Sequence, residues 1–168
     1  MAPRPDGLTD VFVEWAGRAP DDPRSVLEIQ EAGCFDLYEL HWQESYISEE
    51  GRHRICHYRA PDAESVRTAF RKAAVEVEHV WSGTLLAGDG ASAAGVAVDW
   101  PFEPPWPESA PFALERARRE GLLPLGLDPV RAIVPAGCRR ILCFCAAPAA
   151  QRSVAPPVRC WRFRRFAR

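Results

Sequence analysis

Four histidines fall between positions 41 and 79, and together with one thiol they are the side chains best suited to hold a transition metal: His41, Cys56, His57 and His79, with His53 nearby. Imidazole and thiolate offer directed, moderately soft lone pairs that suit nickel, zinc, copper or iron. Successive residues of a strand point to opposite faces, so Cys56 and Tyr58 share one face of segment 53–59 while His53, Ile55 and His57 share the other. These donors cannot all enclose one ion. A site would gather His41 with one residue of that strand, and His79 would join across an open sheet face or from a facing unit. The plainer alternative makes His53 and His57 solvent-exposed or hydrogen-bonded, and Cys56 a small buried hydrophobe.

A second chemistry is open to the aromatic residues. Trp42, Tyr46, Tyr58 and Trp81, with Trp15, recur at strand spacing and could line a small-molecule pocket into which Cys56 or a histidine reaches. The same spacing otherwise builds a core. Thiol catalysis lacks a full set, because Cys56 and His57 diverge and no Asp or Asn is placed to orient a histidine base. Segment GDGASAAG has no Lys-Ser or Lys-Thr after it and precedes a strand, the reverse of a phosphate-binding loop.

The elements that must position these groups follow from periodicity. Val11–Trp15 predicts a strand and Ser25–Leu40 a helix with one apolar side. His41–Ser48 and His53–Arg59 predict two strands joined by Glu49-Glu50-Gly51-Arg52, with Gly51 at the positive-φ position of the turn. Pro61 falls in the first turn of a helix over Asp62–Ala74, which buries Val66, Phe70 and Ala73 or Ala74. Val77–Leu86 closes a βαββαβ order. Beyond the linker-like 88–92, strands are expected at Val96–Trp100, Val130–Val134, Arg140–Cys145 and Val158–Phe163, with a helix at Ser109–Glu120.

Residues 127–150 repeat 41–64 in degraded form, about 87 positions later: Cys143 stands for Cys56, Ala147 for Ala60 and Pro148 for Pro61. We therefore expect an α+β chain of tandem ferredoxin-like βαββαβ units, residues 9–87 and 93–168, forming a pseudo-dimeric α/β barrel or sandwich. Such a chain would be a monomer with an internal pseudo-dimer, or a higher oligomer.

Composition narrows the class further. With 47% hydrophobic and 26% charged residues the chain is globular, and it has no run near the roughly 18 apolar residues of a membrane span. A soluble, cytoplasmic protein with no membrane partner and reduced thiols is the expectation. The net charge of −2 hides an asymmetry: nine arginines and no Asp or Glu lie between Pro129 and Arg168. Nucleic-acid binding is not expected, because the basic charge covers one end only and fits a strand with Trp161 and Phe163 inward and Arg162 and Arg164 outward.

The string WQESYISEEGRHRICHYRAPDAESVR, with HVW further on, resembles the domain-of-unknown-function 4242 family, which includes a nickel-binding protein of actinobacteria. Ser45, Tyr46, Cys56, Tyr58, Ala60, Pro61, Asp62, Ala63, Glu64, Val66 and Arg67 carry the resemblance, which covers Val11 to Leu86. It implies ferredoxin-like subunits that pair through their sheets, and binding or sequestration of a divalent transition metal, Ni2+ before Zn2+, by the first unit. The second copy departs from the pattern at Ile133, Cys145, Ala149 and Arg159, which stand for Tyr46, Tyr58, Asp62 and His79, so a site there would be lost or altered. The competing functions are small-molecule binding or cofactor-free catalysis of the dimeric α/β-barrel type, and a structural or interaction role.

Overall fold

The structure, a computed structural model, describes residues 7–15, 34–87, 94–101, 129–137, 139–145 and 159–167. The expected helix at 109–120, most of that at 25–40 and the linker at 88–92 lie outside these residues. The described elements are β1 (Thr9–Trp15), α1 (Cys34–Leu37), β2 (His41–Ser48), β3 (Arg54–Ala60), α2 (Ala63–Lys72), β4 (His79–Ala87), β5 (Ala94–Pro101), β6 (Pro129–Pro135), β7 (Arg140–Cys145) and β8 (Arg159–Ala167). The chain is α+β, and its contacts divide it into two compact units, Met1–Gly83 with Arg165–Arg168, and Thr84–Arg164.

The first unit has the order βαββαβ and the strand arrangement β4-β1-β3-β2, with the end of β8 beyond β2. Central β1 pairs antiparallel with β3 and β4, which sets Val13 opposite Cys56, and Phe12 opposite both His57 and Trp81. Between β2 and β3, Gly51 turns the chain at φ 69°, and the Ser48 hydroxyl accepts from the backbone N–H groups of Arg52 and His53. That side chain satisfies two turn donors that would otherwise be buried or lost to water.

Helix α2 starts where its sequence stops being able to extend. Pro61 lies outside the helix rather than in its first turn, and Asp62 is the N-cap, its carboxylate accepting from Ser65 N–H at 2.6 Å. The helix buries Val66, Ala69 and Phe70, so Ala69 takes the place expected for Ala73 or Ala74. It ends in a reciprocal cap: Ala74 N–H donates to Arg71 O and Val75 N–H to Phe70 O, with Ala74 itself at φ 55°.

One face of the first sheet, with both helices, forms an apolar core of Val11, Val13, Trp15, Phe35, Leu40, Cys56, Tyr58, Ala60, Val66, Ala69, Phe70 and Val80. Phe70 meets Trp15, Phe35 and Tyr58 edge-on, at centroid distances of 5.2–5.8 Å. Such contacts add to the transfer of these rings out of water.

In the second unit the order is β6-β7-β5-β8, again with the first strand central and antiparallel to its neighbours. Its register has an irregularity between Pro129 and Arg131, matching one between Trp42 and Glu44 in the first unit at the same offset of 87. Val96, Val98, Ala132, Val134, Ile141, Cys143 and Cys145 form a core on one face, joined by Leu86. Ala97, Ile133, Leu142, Phe144 and Phe163 are buried as well, and Phe163 meets Phe144 edge-on at 5.1 Å. As the alternation of β8 requires, Phe163 is enclosed while Arg162 and Arg164 are exposed.

Candidate functional site

The first sheet's second face, away from the helices, is where buried charge collects. Asp10 and Phe12 come from β1, Glu44 and Tyr46 from β2, His57 and Arg59 from β3, and Arg165 from the end of β8. Alternation alone would not assemble this set. On β2 it would put Trp42, Glu44 and Tyr46 on one face, but the irregularity after Trp42 leaves Gln43 as an extra residue. Trp42 then stands opposite Tyr58 and Glu44 opposite His57, so the bulge turns Glu44 and Tyr46 onto the charged face.

His57 is 4% exposed and lies between two carboxylates. Its Nε2 is 2.9 Å from Asp10 Oδ1, and its Nδ1 faces Glu44 Oε1 at 3.7 Å. Each carboxylate has further donors. Arg59 Nη1 donates to Asp10 Oδ1 at 3.3 Å, while its Nη2 donates to Leu8 O at 2.6 Å. Tyr46 donates its hydroxyl to Glu44 Oε1 at 2.8 Å, and Arg165 Nε donates to Glu44 Oε2 at 2.7 Å. The imidazole also lies against Phe12 at 4.9 Å, and Phe12 against Trp81 at 4.7 Å, a three-ring stack.

Burial by itself would push the His57 imidazole down, but the hydrogen bonds and charges of Asp10 and Glu44 outweigh it and hold the ring above its ordinary 6.5. For Asp10, burial works upward, and His57 and Arg59 overcome it to keep the carboxyl below 3.8. Asp10 and His57 thus favour each other's charged forms in a place little water reaches, with Glu44 and Arg59 adding to the effect. The arrangement can hold a proton on His57 or pass it to a carboxylate.

The residues singled out for metal binding are distributed rather than gathered. Cys56 is fully buried in the helix-side core and accepts a hydrogen bond from Ser45, 3.1 Å away, which in turn accepts from the Trp42 indole at 2.9 Å. His57 is on the opposite face. His41 and His79 are exposed, at diagonal corners of the sheet. His41 stands beside Arg59, whose partner is Asp10, whereas His79 stands beside Glu14. With about 3.3 Å per residue and 4.8 Å per strand, they lie roughly 13 Å apart along the sheet and 14 Å across it. Among the described residues no group of three His, Cys, Asp or Glu could hold a metal ion. A preformed three-donor centre is therefore not what these residues make.

The aromatic set also divides. Tyr58 is enclosed in the helix-side core, with Trp42 packed against it, whereas Tyr46 and Trp81 belong to the charged face. Asp10, Glu44, Arg59 and Arg165 are the residues a reading by side-chain type passed over. Asp10-x-Phe12, Glu44-x-Tyr46 and His57-x-Arg59 carry a period-two signal in which polar and aromatic residues share a face.

Residues 13–82 match the family described as nickel responsive protein SCO4226-like, so this part of the first unit, less than half of the chain, is similar to that family. Much of the motif that carries the resemblance does structural work here: Asp62 caps α2, Ser45 bridges Trp42 and Cys56, and Arg67 binds the Val80 carbonyl at 2.7 Å. Asp10 and Arg165 lie outside the matched segment. An anthrone oxidase-like protein known from a crystal structure is similar at a TM-score of 0.48, with 10% identity over 99% of this chain and 95% of that one. No curated protein matches the chain. No helix among the described residues is long and apolar enough to cross a membrane.

Proposed function

We propose that the first unit binds or sequesters a divalent transition metal, nickel foremost, at donors reachable from solvent. The match of residues 13–82 to a nickel-responsive family carries this reading. His79 and Glu78, 3.8 Å apart and both largely exposed, offer an imidazole and a carboxylate, with water left to complete the shell. Nitrogen and oxygen donors of this kind suit Ni2+ and admit Zn2+. His41 offers a separate imidazole, while Cys56 and His57 would serve only by leaving Ser45 or the two carboxylates. Residues 9–87 are then the functional unit, and 93–168 a degenerate copy, a reading that the shared strand order and the bulge at the same offset support.

The test is elemental analysis of protein purified without an affinity tag, then calorimetry with Ni2+ and Zn2+ on the wild type, His41→Ala and His79→Ala. We expect His79→Ala to weaken nickel binding by about tenfold or more, since even loss of an outer partner of a metal ligand costs that much. Equal, weak binding in all three proteins removes the reading.

A second reading, a small-molecule or acid–base site on the charged face, is favoured by His57 held between Asp10 and Glu44 beside the Phe12–Trp81 stack. Tyr46 and Trp81 would serve it, and Cys56 would not. Its signature is a ligand that shifts the His57 ring resonances and loses affinity in His57→Gln. A library of small acids and aromatics that leaves those resonances unmoved eliminates it.

A further inference from the structure

Strand β3 opens with a charge that has no counterpart among the described residues. Arg54 is 2% exposed, and its Nε, Nη1 and Nη2 are each buried without a hydrogen-bond partner. Its contact is with the face of Trp15, the residue paired with it on β1, 5.4 Å from guanidinium carbon to ring centroid. Trp15 Nε1 is also buried and without a partner among the described residues. The carboxylates of Asp10 and Glu44 are committed on the other face of the sheet.

A guanidinium keeps its charge at every pH the fold survives, and it can only donate. Stacking on an indole recovers less than the cost of taking such an ion out of water, so an enclosed arginine with nothing but a ring beside it is missing a partner. Three guanidinium nitrogens and one indole N–H all ask for acceptors. A water molecule would satisfy some of these donors but leave the charge uncompensated. The complement of the whole set is a small anion with two or more oxygens in a plane or tetrahedron, which the arginine fork binds in bidentate fashion.

We propose that Arg54 and Trp15 form a binding site for a small oxyanion, a carboxylate or a phosphate-type group, at the hairpin end of the first sheet. Arg54 directly follows the turn, whose Arg52 and His53 are exposed, so the approach from solvent is short. Glu49 and Glu50 face solvent on the same turn and favour a compact anion over a polyanion. The site lies at the opposite end of the sheet from His41 and on the opposite face from His57, and it does not depend on metal binding.

The experiment uses the full chain at constant ionic strength, replacing chloride in turn by formate, acetate and inorganic phosphate, with thermal unfolding, calorimetry and indole emission as readouts. One of these oxyanions should raise the unfolding temperature of the wild type saturably and change its emission. Arg54→Lys should bind it at least tenfold more weakly, Arg54→Met should not respond, and Trp15→Phe should lose the emission change. A wild type that gives no binding heat and no stabilisation with any of the three overturns the proposal. So does an equal response in Arg54→Met or Arg54→Lys, which would mark a general salt effect. Should Arg54→Met fail to fold, the wild-type titration and the lysine variant decide the matter.

Discussion

His57 couples the stability of the first unit to pH from one side and Asp10 from the other. The imidazole is held above 6.5, so its contribution is fully present below that value and is lost as pH rises through the folded pKa. Asp10 has its carboxyl held below 3.8, so its contribution is present above that value and is lost as pH falls through the lower folded pKa. Stability carried by this pair should therefore be greatest between these limits, in mildly acidic solution. Urea unfolding followed from pH 4 to 9 should show a midpoint that declines above pH 6.5, and His57→Gln should flatten that decline; an unchanged slope in the variant would separate the two. Replacing Asp10 by Ala removes the acceptor shared by His57 and Arg59 and leaves both cations buried. We expect a loss of about 3–5 kcal/mol near pH 6, the usual consequence of breaking a buried pair from one side.

At the level of elements, the backbone carries features whose cost can be measured. Ala74 adopts φ 55° to let α2 close its cap, a conformation that glycine reaches without a Cβ clash. Ala74→Gly should therefore stabilise the protein by about 0.5–1 kcal/mol by chemical denaturation, against the usual penalty for adding glycine. Gly95 is the opposite case: a Cβ there would run into the Cys145 carbonyl of β7 and crowd Phe163. Gly95→Ala should cost about 3 kcal/mol, the upper end for overpacking, unless β5 shifts away from β7. These elements were legible to different degrees. The strand over His41–Ser48 and the turn at Gly51 stand where alternation and turn chemistry put them, because a half-buried strand writes its period directly into the sequence. The bulge after Trp42 does not, since a single extra residue reverses the facing of everything beyond it without altering composition. For that reason Trp42 and Tyr46 could be placed in one pocket by sequence, and Glu44 could not be seen beside His57. Buried charges such as Asp10 and Arg59 likewise read as a solvated face, because the pattern is the same whether water or another charge meets them.

For the molecule as a whole, the sequence divides charge sharply: all 23 acidic residues precede position 129, and nine of the 21 basic residues follow it. A nucleic-acid surface is one use of a basic terminus, but Arg165 is committed elsewhere, donating to Glu44 at 2.7 Å where the carboxylate is 3% exposed. The cation lets a buried anion be tolerated beside His57, so the end of β8 belongs with the first unit's charged face. Removing residues 165–168 should strand Glu44 and lower stability, and Glu44→Gln should recover part of that loss by removing the orphaned charge. In a double-mutant cycle, Arg165→Met and Glu44→Gln should couple by about 1–3 kcal/mol, as groups in one buried network do. Retention on a heparin or RNA column should stay near zero for the full chain at 150 mM salt, and truncation should leave it there. Coupling below about 0.5 kcal/mol together with salt-sensitive RNA binding that the truncation abolishes would reverse the assignment, since phosphate contacts weaken steeply as salt rises whereas a buried pair is largely shielded from it.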